Sequence, residues 1–343
     1  MNDNNINSTL DEIKKDITSA NTQGVAGNTG LSRQDLSSSL VKLTNRGTPL
    51  RDKLKRKQGN GLAHSWNLRS ALGLGANNPK DMFYAEDTLP SVSTATYSQK
   101  SANYKLIGDT VIVSSFAIAA GRSYIDLLAE STESAMRTVI QSEEWAIFNG
   151  DSTVTNDNGV SSFDGLSKQI STNVVSLSGA LTGTDPLDEA IELIRIQGGG
   201  MGNLAIYCSF GIQRKINQLQ QASGDFRYFV QAKDLGNTVW GANVSMYQST
   251  VGAIPLVGDF FVNPATPYPY SNAGSSAAAG ASSSNIYILD LDYLAMVDLK
   301  PMGLEDLAKI SDNERKMVNE YTVLEVTAEP WMAAITGVTE PTA

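Results

Sequence analysis

Residues 104–148 read YKLIGDTVIVSSFAIAAGRSYIDLLAESTESAMRTVIQSEEWAIF, and this stretch decides the class of fold. Its first part, Tyr104 to Phe116, is rich in β-branched residues and predicts a strand. Apolar and small side chains then recur at helical spacing from Tyr124 to Phe148, which predicts one continuous helix. At about 1.5 Å per residue this helix would be about 37 Å long, roughly twice the length of an ordinary globular helix.

Signals for both ends of this helix lie beside it. Ser123 is the predicted N-cap, with Asp126 three residues later in the capping-box position. Asn149 and Gly150 predict the C-terminal end, with the glycine in the left-handed conformation that often closes a helix.

A helix–strand–helix unit is predicted further along the chain. Asp185 and Pro186 mark the start of its first helix, and Gly198 marks the end. Residues 203–209 (NLAIYCS) then predict a strand, and Ser209 can cap the helix that follows.

The C-terminal part of the chain is predicted to be mostly strand. Residues 286–299 are strand-like, and residues 320–335 read as two strand segments broken near Pro330. The fold class is therefore α+β, with pairing between strands from the first and last thirds of the chain.

The N-terminal side of the chain has a different character. Residues 1–45 are polar and cannot bury a core, so they predict an arm that lies on something else, or a disordered tail. Residues 60–105 have no clean helical period and carry isolated aromatic residues between Gly, Asn, Pro, Ser and Thr. This pattern favours a protruding two-stranded hairpin that packs on a neighbour, and the alternative is a surface loop with a few aromatic residues on the core.

Charge is spread unevenly along the sequence. The net charge of −10 argues against a protein that coats nucleic acid over its whole surface. Between Lys42 and Arg69, however, eight basic residues accompany a single acid, Asp52. This segment could make sequence-independent phosphate contacts, although it lacks aromatic residues that stack on bases, or it could pair with the acidic body of a neighbour. Besides Lys42 and Arg69, its basic residues are Arg46, Arg51, Lys53, Lys55, Arg56 and Lys57.

The overall composition is consistent with a protein that assembles. Hydrophobic residues make up 41% of the chain and charged residues only 18%. A weakly charged surface suits a protein that buries its exterior against copies of itself, and the alternative is a moderately polar globular protein. Cys208 is the only cysteine, and no signal peptide or membrane span is recognisable, so we expect folding in a cytoplasm without disulfides.

The sequence offers little for catalysis. His64 is the only histidine, which excludes multi-histidine metal sites, and no nucleophile-elbow motif is present. Carboxylates are paired at Glu143–Glu144 and at Asp290 and Asp292, which a strand would place on one face. Such pairs can bind a cation or act as acid and base, but we favour a solvated or interface-facing acidic edge. We expect no catalytic residue, no metal site and no cofactor.

The order of these parts resembles the major capsid proteins of tailed bacteriophages with the Hong Kong 97-type (HK97-like) fold. No single motif is decisive, and the ordered set of matches carries the resemblance. The matching segments are TPLRDKLKRK (48–57) with Trp66 downstream, IGDTVIVSSF (107–116), SEEWAIFNGD (142–151), FDGL (163–166), GAIPLVGDFFV (252–262), YILDLDYLAMVDLKP (287–301) and EYTVLEVTAEPWMAAITGV (320–338).

The resemblance implies a division of the chain and a set of contact residues. The implied parts are an N-terminal arm (1–59), an extended β-hairpin loop or E-loop (60–105), a peripheral domain (106–184) with a spine helix (124–148), an axial domain (185–285) and return strands to the peripheral domain (286–343). Aromatic residues dominate interface energetics, so those of the extended loop become the expected anchors on a neighbouring subunit. These anchors are Trp66, Phe83, Tyr84, Tyr97 and Tyr104.

The function implied by the resemblance is structural. Copies of the chain would form the pentamers and hexamers of an icosahedral head that encloses double-stranded DNA. Portal and scaffolding proteins, and also cement proteins, are expected partners, with assembly in the host cytoplasm and a final location in the virion. Some family members cross-link a loop lysine to an asparagine; Lys80 and Lys100 lie in the corresponding segment, but neither aligns with that motif. The alternatives are an encapsulin-like compartment, a basic-armed nucleic-acid-binding protein and, more remotely, an enzyme that uses carboxylates.

Overall fold

The computed structural model describes most of the chain. The described ranges are 46–71, 83–89, 94–122, 125–156, 158–199, 202–222, 246–263 and 283–340. The chain divides into two units, Met1–Leu43 and Thr44–Ala343, and every described residue belongs to the second unit. The predictions for residues 1–45, for Ser123 and for Lys80 lie outside the described residues.

The described elements begin with four strands, continue with helices and strands, and end with six strands. The strands are β1 (Lys55–Gln58), β2 (Ala63–Ala71), β3 (Thr96–Asn103), β4 (Lys105–Ser114), β5 (Val174–Ala180), β6 (Leu204–Cys208), β7 (Met246–Ser249), β8 (Gly252–Gly258), β9 (Ser283–Asp290), β10 (Leu294–Asp306), β11 (Asn313–Val326) and β12 (Ala333–Thr339). The helices are α1 (Ser115–Gly121), α2 (Leu127–Asn149), α3 (Leu166–Gln169), α4 (Asp185–Ile196) and α5 (Phe210–Ala222). Two 3-10 turns, Leu291–Tyr293 and Glu329–Trp331, interrupt the C-terminal strands.

The first sheet joins the two ends of the described chain. Its strands lie in the order β1-β10-β11-β4, with β1 parallel to β10 and the other pairs antiparallel. The pairing of β1 and β4 with β10 and β11 confirms the predicted contact between the first and last thirds. The 3-10 turn at Glu329–Trp331 ends the β11 segment, as the predicted break near Pro330 requires.

The second sheet has six strands in the order β5-β12-β9-β6-β8-β7. Its central strands are buried on both faces, so neighbouring residues point into different cores. Ile206 and Ile288 pack with the apolar stripes of α4 and α5. Tyr207 and Tyr287 face the other way and pack against Phe148 at the C-terminal end of α2. The end of the long helix is therefore buried against this sheet, and the predicted helix–strand–helix unit is confirmed.

The long helix is present as α2, but it begins later than predicted. Asp126 is the N-cap, and its carboxylate accepts hydrogen bonds from the amides of Leu128 (3.1 Å) and Ala129 (3.2 Å). A carboxylate at this position also interacts favourably with the helix dipole. The prediction that Asp126 follows the cap inside the helix is wrong, because Asp126 is itself the cap and the helix begins at Leu127. A separate helix, α1, precedes it at Ser115–Gly121.

The C-terminal end of α2 also differs from the prediction. Gly150 has φ −59°, so it is not the left-handed residue that the Asn–Gly pair suggested. The glycine is required by close packing instead, since a Cβ atom there would lie 2.3 Å from the Phe163 carbonyl oxygen and 2.5 Å from that of Ala146. The segment after the helix therefore packs directly against the helix end.

The hairpin predicted within residues 60–105 is formed by β2 and β3. The two strands pair antiparallel from Ala63 with Asn103 to Ala71 with Thr96. The strands on either side of the hairpin, β1 and β4, both belong to the first sheet. The hairpin thus leaves and re-enters the same sheet, and most of its described side chains are exposed.

Replacing Gly150 with alanine tests the close packing at the end of α2. Gly150→Ala should lower the free energy of unfolding by about 1–3 kcal/mol, because the added methyl group overpacks against backbone oxygens. Gly47→Ala is the matched control, because nothing lies within 4 Å of its added Cβ atom. Urea unfolding of dissociated subunits measures both changes, and equal stability of the two variants would contradict this account.

Candidate assembly site and its supporting charge cluster

The structure divides the five predicted aromatic anchors into two groups. Phe83, Tyr84 and Tyr97 are 85%, 62% and 70% exposed, so contact with a neighbouring subunit stays a prediction for them. Trp66 and Tyr104 are only 9% exposed. These two pack within their own chain, which differs from the expectation that all five contact a neighbour.

Trp66 and Tyr104 are buried at the base of the hairpin. The Trp66 ring stacks on His64, with ring centroids 5.7 Å apart. Tyr104 belongs to the main core and passes so close to Gly59 that a Cβ atom there would lie 2.0 Å from the phenol oxygen. Both side chains therefore fix where the hairpin starts and ends.

A second exposed apolar surface lies on the first sheet. Alternate residues of β4 point away from α2, and among them Leu106 and Ile112 are exposed. They lie opposite Tyr321 and Arg315 of β11, which places all four side chains on one face. We call this face the outer strip. It lies at an edge of the sheet, because β11 is the one described strand that pairs with β4.

A cluster of buried charges holds the chain that leads into the hairpin. We call residues 46–59 the strap. Arg56 of the strap donates to Glu143 at 2.5 Å, to Asp298 at 3.0 Å and, at shorter range, to Glu320. Arg51 also pairs with Glu143. This charge cluster joins the strap, the end of α2 and strands β10 and β11.

The charge cluster contains more acids than bases. Three carboxyl groups face two guanidinium groups, and Glu143 and Glu320 are fully buried. Burial, followed by repulsion from Glu143, raises the pKa of Glu320. One oxygen of Glu320 has no hydrogen-bond partner within the described structure. Glu320 is therefore the member of the charge cluster that takes up a proton most readily.

The neighbouring residue Glu144 makes a separate set of contacts. Its two carboxylate oxygens accept from the amides of Leu50 (2.9 Å) and Arg51 (2.8 Å), so it closes the turn of the strap. It is also hydrogen-bonded to the carboxyl group of Asp259, which follows β8. Burial raises the pKa of both Glu144 and Asp259.

A proton shared between Glu144 and Asp259 satisfies this buried pair, because two carboxylates in contact cannot both stay ionised. Both oxygens of Glu144 also accept amide protons from the strap, and Asp259 accepts from the Phe261 amide through one oxygen. The two carboxyl groups therefore titrate as a unit that holds one proton between them.

The basic segment is used mainly within its own chain. Lys55 pairs with Asp292 and Lys57 pairs with Glu325, each at 2.8 Å. The guanidinium of Arg46 lies 3.3 Å from the ring centroid of Phe260, a cation–π contact. Together with Arg51 and Arg56, these residues bind the subunit's own acidic body. Lys53 is exposed, so a contact with DNA or a neighbour stays a prediction for it.

The sequence signal for the charge cluster is the pair of adjacent glutamates at the end of the long helix, which predicted a different environment from the one observed. Glu143 and Glu144 were expected on a solvated or interface-facing edge, and both are instead fully buried. They lie in an apolar helix end without a basic residue three or four positions away, so their cations had to come from a distant segment. Asp290 and Asp292 do not share a strand face either, since Asp290 caps the 3-10 turn that contains Asp292.

Within the described ranges, no three His, Cys, Asp or Glu side chains are grouped so that they could hold a metal ion. Of the described helices, none combines the length and the apolar character needed to cross a membrane.

Comparison with known proteins agrees with this architecture. The family model of the SU10 major capsid protein matches residues 16–339. The chain belongs to the SU10 major capsid protein family. No curated protein matches the sequence.

Solved structures similar to this SU10-family chain share its fold at low sequence identity. The capsid of a native GTA particle has a TM-score of 0.65 at 11% identity, covering 93% of this chain and 99% of that one. A chain of Mycobacterium phage Ogopogo has a TM-score of 0.61 at 13% identity, and the match covers 91% of this chain and 99% of that one. The SrpI encapsulin of Synechococcus elongatus PCC 7942 has a TM-score of 0.57 at 11% identity, and the match covers 92% of this chain and 97% of that one. The expected HK97-like capsid fold is confirmed.

Removing Arg56 tests the charge cluster. Arg56→Met should lower the free energy of unfolding by about 3–5 kcal/mol, since it leaves buried carboxylates without their cation. Lys55→Met is the matched control and should cause a much smaller change, because both partners of the Lys55–Asp292 pair are exposed. Chemical denaturation at pH 7 separates the two, and a similar loss in both variants would count against the cluster.

The shared proton predicts how stability depends on pH. A carboxyl group whose pKa is raised by folding binds more protons in the folded state than in the unfolded state. The free energy of unfolding therefore falls as the pH rises above the pKa that this group has in the unfolded chain, by at most about 1.4 kcal/mol per pH unit. Asp259→Asn should remove this slope, because the amide donates to Glu144 without a titrating proton.

Glu144→Gln is the contrasting variant. It deprives Leu50 or Arg51 of an acceptor, so stability should fall throughout the range from pH 5 to 8. Urea titrations over this range measure both variants. A slope that persists unchanged in Asp259→Asn would place the proton elsewhere.

Proposed function

We propose that this chain forms the pentamers and hexamers of an icosahedral phage head that encloses double-stranded DNA, with the hairpin as the grip between subunits. Membership of a major capsid protein family supports assembly from copies of the chain. The observation that carries the proposal is the hairpin itself, a two-stranded ribbon that has no third strand among the described parts of the chain.

A ribbon of this kind needs a partner to be stable. Two-stranded hairpins are marginally stable alone in water, and those that persist usually pack against another surface. Phe83, Tyr84 and Tyr97 are exposed, and Leu89 is 92% exposed, within the same loop. Burying such a side chain contributes about 1.5–3 kcal/mol, so several together can hold two subunits.

The outer strip is the surface that best fits a neighbour's hairpin. Leu106 and Ile112 offer apolar contact, and Arg315 adds positive charge on the same face. The loop segment 83–89 combines its apolar residues with Glu86 and Asp87, so charge as well as apolar character is complementary. Because donor and receiver are different surfaces, repeating the contact generates rings, as pentamers and hexamers require.

The enclosed DNA would be contacted without sequence preference and by few cations. Arg51, Lys55, Arg56 and Lys57 of the strap bind acids of their own chain, and the net charge is −10. These pairings disfavour the basic-armed nucleic-acid-binding alternative. Portal, scaffolding and cement proteins complete the proposed set of partners, with assembly in the host cytoplasm and a final location in the virion.

An encapsulin-like compartment is the second candidate, favoured by the similarity to the SrpI encapsulin. The contents of native particles discriminate between the two. Nuclease-protected double-stranded DNA inside the shell supports the phage head, whereas shells filled with a cargo protein and free of DNA support the compartment.

Removing exposed hairpin side chains tests whether the hairpin holds neighbouring subunits together. Phe83→Ser combined with Tyr97→Ser should raise the subunit concentration needed for shell formation at least about tenfold, because each lost apolar contact weakens every junction. Melting of the isolated subunit should stay unchanged, since both side chains are exposed in it.

Val154→Ser is the matched control, because Val154 is 65% exposed but lies outside the hairpin. Sedimentation velocity and electron microscopy measure assembly. Shells that form at the native concentration in the double variant would overturn the role of the hairpin.

A further inference from the structure

We propose that His64 and Glu325 form a proton-controlled latch that fixes the base of the hairpin to the body of the subunit. His64 lies on β2, and Glu325 lies on β11 of the first sheet. The latch is a property of the single subunit. Its consequence for assembly rests on the proposed function, since that function needs the hairpin to reach a neighbour.

The body side of the latch is held in place. Glu325 is 4% exposed, and its Oε1 accepts from the Thr327 hydroxyl at 3.2 Å. Its Oε2 accepts from the Lys57 ammonium at 2.8 Å and lies 3.4 Å from Nε2 of His64. A single fixed oxygen therefore faces one cation from the strap and the imidazole from the hairpin.

The hairpin side of the latch is incomplete as it stands. Nε2 of His64 is buried and has no hydrogen-bond partner within the described structure. The 3.4 Å gap to Glu325 exceeds the 2.7–3.2 Å typical of such a bond. A proton on Nε2 would turn this contact into a charge-assisted hydrogen bond of about 2.7–2.9 Å. Histidine changes its charge between pH 5 and 8, so mild acid would close the latch.

The other charged or titratable groups around the imidazole belong to the body and to the hairpin. Lys57 approaches from β1, and Asp298 lies on β10 beside the hydroxyl of Tyr104. Lys100 of β3 lies on the same face of the hairpin as His64 but is exposed. Glu325 is the group that His64 faces directly, and Lys57 shares the same carboxylate oxygen.

The base of the hairpin is where the ribbon leaves the body of the subunit. The chain enters β2 through Gly59, Asn60 and Gly61, and Gly61 has φ +79°, which favours glycine. Beyond the base, β3 is exposed at every position except Ala102, which packs on the main core. Among the described residues, the ribbon contacts the body near its base, at Trp66 and Ala102 beside His64. One added ion pair there changes how firmly the ribbon is held.

The test follows the mobility of the hairpin in the full chain, below the assembly concentration. Cys208 is fully buried, so a cysteine introduced by Gln99→Cys on the exposed face of β3 takes up a spin label selectively. We expect the mobile population of the label to fall about tenfold from pH 8 to pH 5.5. A label at Ser176→Cys, on the exposed side of β5, should show no such change.

Two further variants connect the response to the latch. His64→Gln keeps a polar side chain but cannot titrate, and Glu325→Gln removes the acceptor's charge, so either change should abolish the pH response. The latch is refuted if the response persists in His64→Gln or is absent from the native chain. Shell formation measured at both pH values reports separately on the proposed function, because the latch can be present in a chain that does not assemble.

Discussion

The burial of two adjacent glutamates at the end of the long helix is the constraint on which the rest of the structure depends. Glu143 and Glu144 lie where the helix end meets both sheets, and removing an ion from water costs several kcal/mol. Only a segment that brings both cations and free backbone amides can offset this cost. The strap does so, with Arg51 and Arg56 for one glutamate and the amides of Leu50 and Arg51 for the other.

The position of the hairpin follows from that of the strap. Once the strap is held, β1 adds to the first sheet beside β10, and the chain enters β2 from a fixed point. The return strand β3 leads through the buried Tyr104 into β4 of the same sheet. Both ends of the ribbon are therefore anchored in one rigid body, while its strands remain exposed. The fixed base sets the direction in which the hairpin protrudes, and its exposed strands stay available for contact with another subunit.

Local sequence patterns predicted the helices and strands, but they did not predict which distant charged residues form ion pairs. Apolar spacing predicted the long helix, and β-branched runs predicted the strands of the α+β class, because each depends on neighbouring residues. The hairpin was predicted from a segment without helical period that carries isolated aromatic residues. Ser123 was predicted as the N-cap with Asp126 in the capping-box position, whereas Asp126 is the cap of α2. Serine and aspartate are both favoured at this position, so residue type alone does not distinguish them. The aromatic residues of the loop were grouped correctly by segment, but the burial of Trp66 and Tyr104 depends on the fold of the base.

The basic segment shows why composition alone misleads about partners. A run of cations on an acidic chain predicts an external target, yet each pairing with an internal acid removes one positive and one negative charge from the surface. Internal pairing therefore leaves the net charge at −10 but makes the exterior poorer in charge than the 18% in the sequence suggests. A surface with few charges loses less hydration when it is covered by a neighbour. The same ion pairs that anchor the hairpin thus also reduce the cost of burying the exterior in a shell.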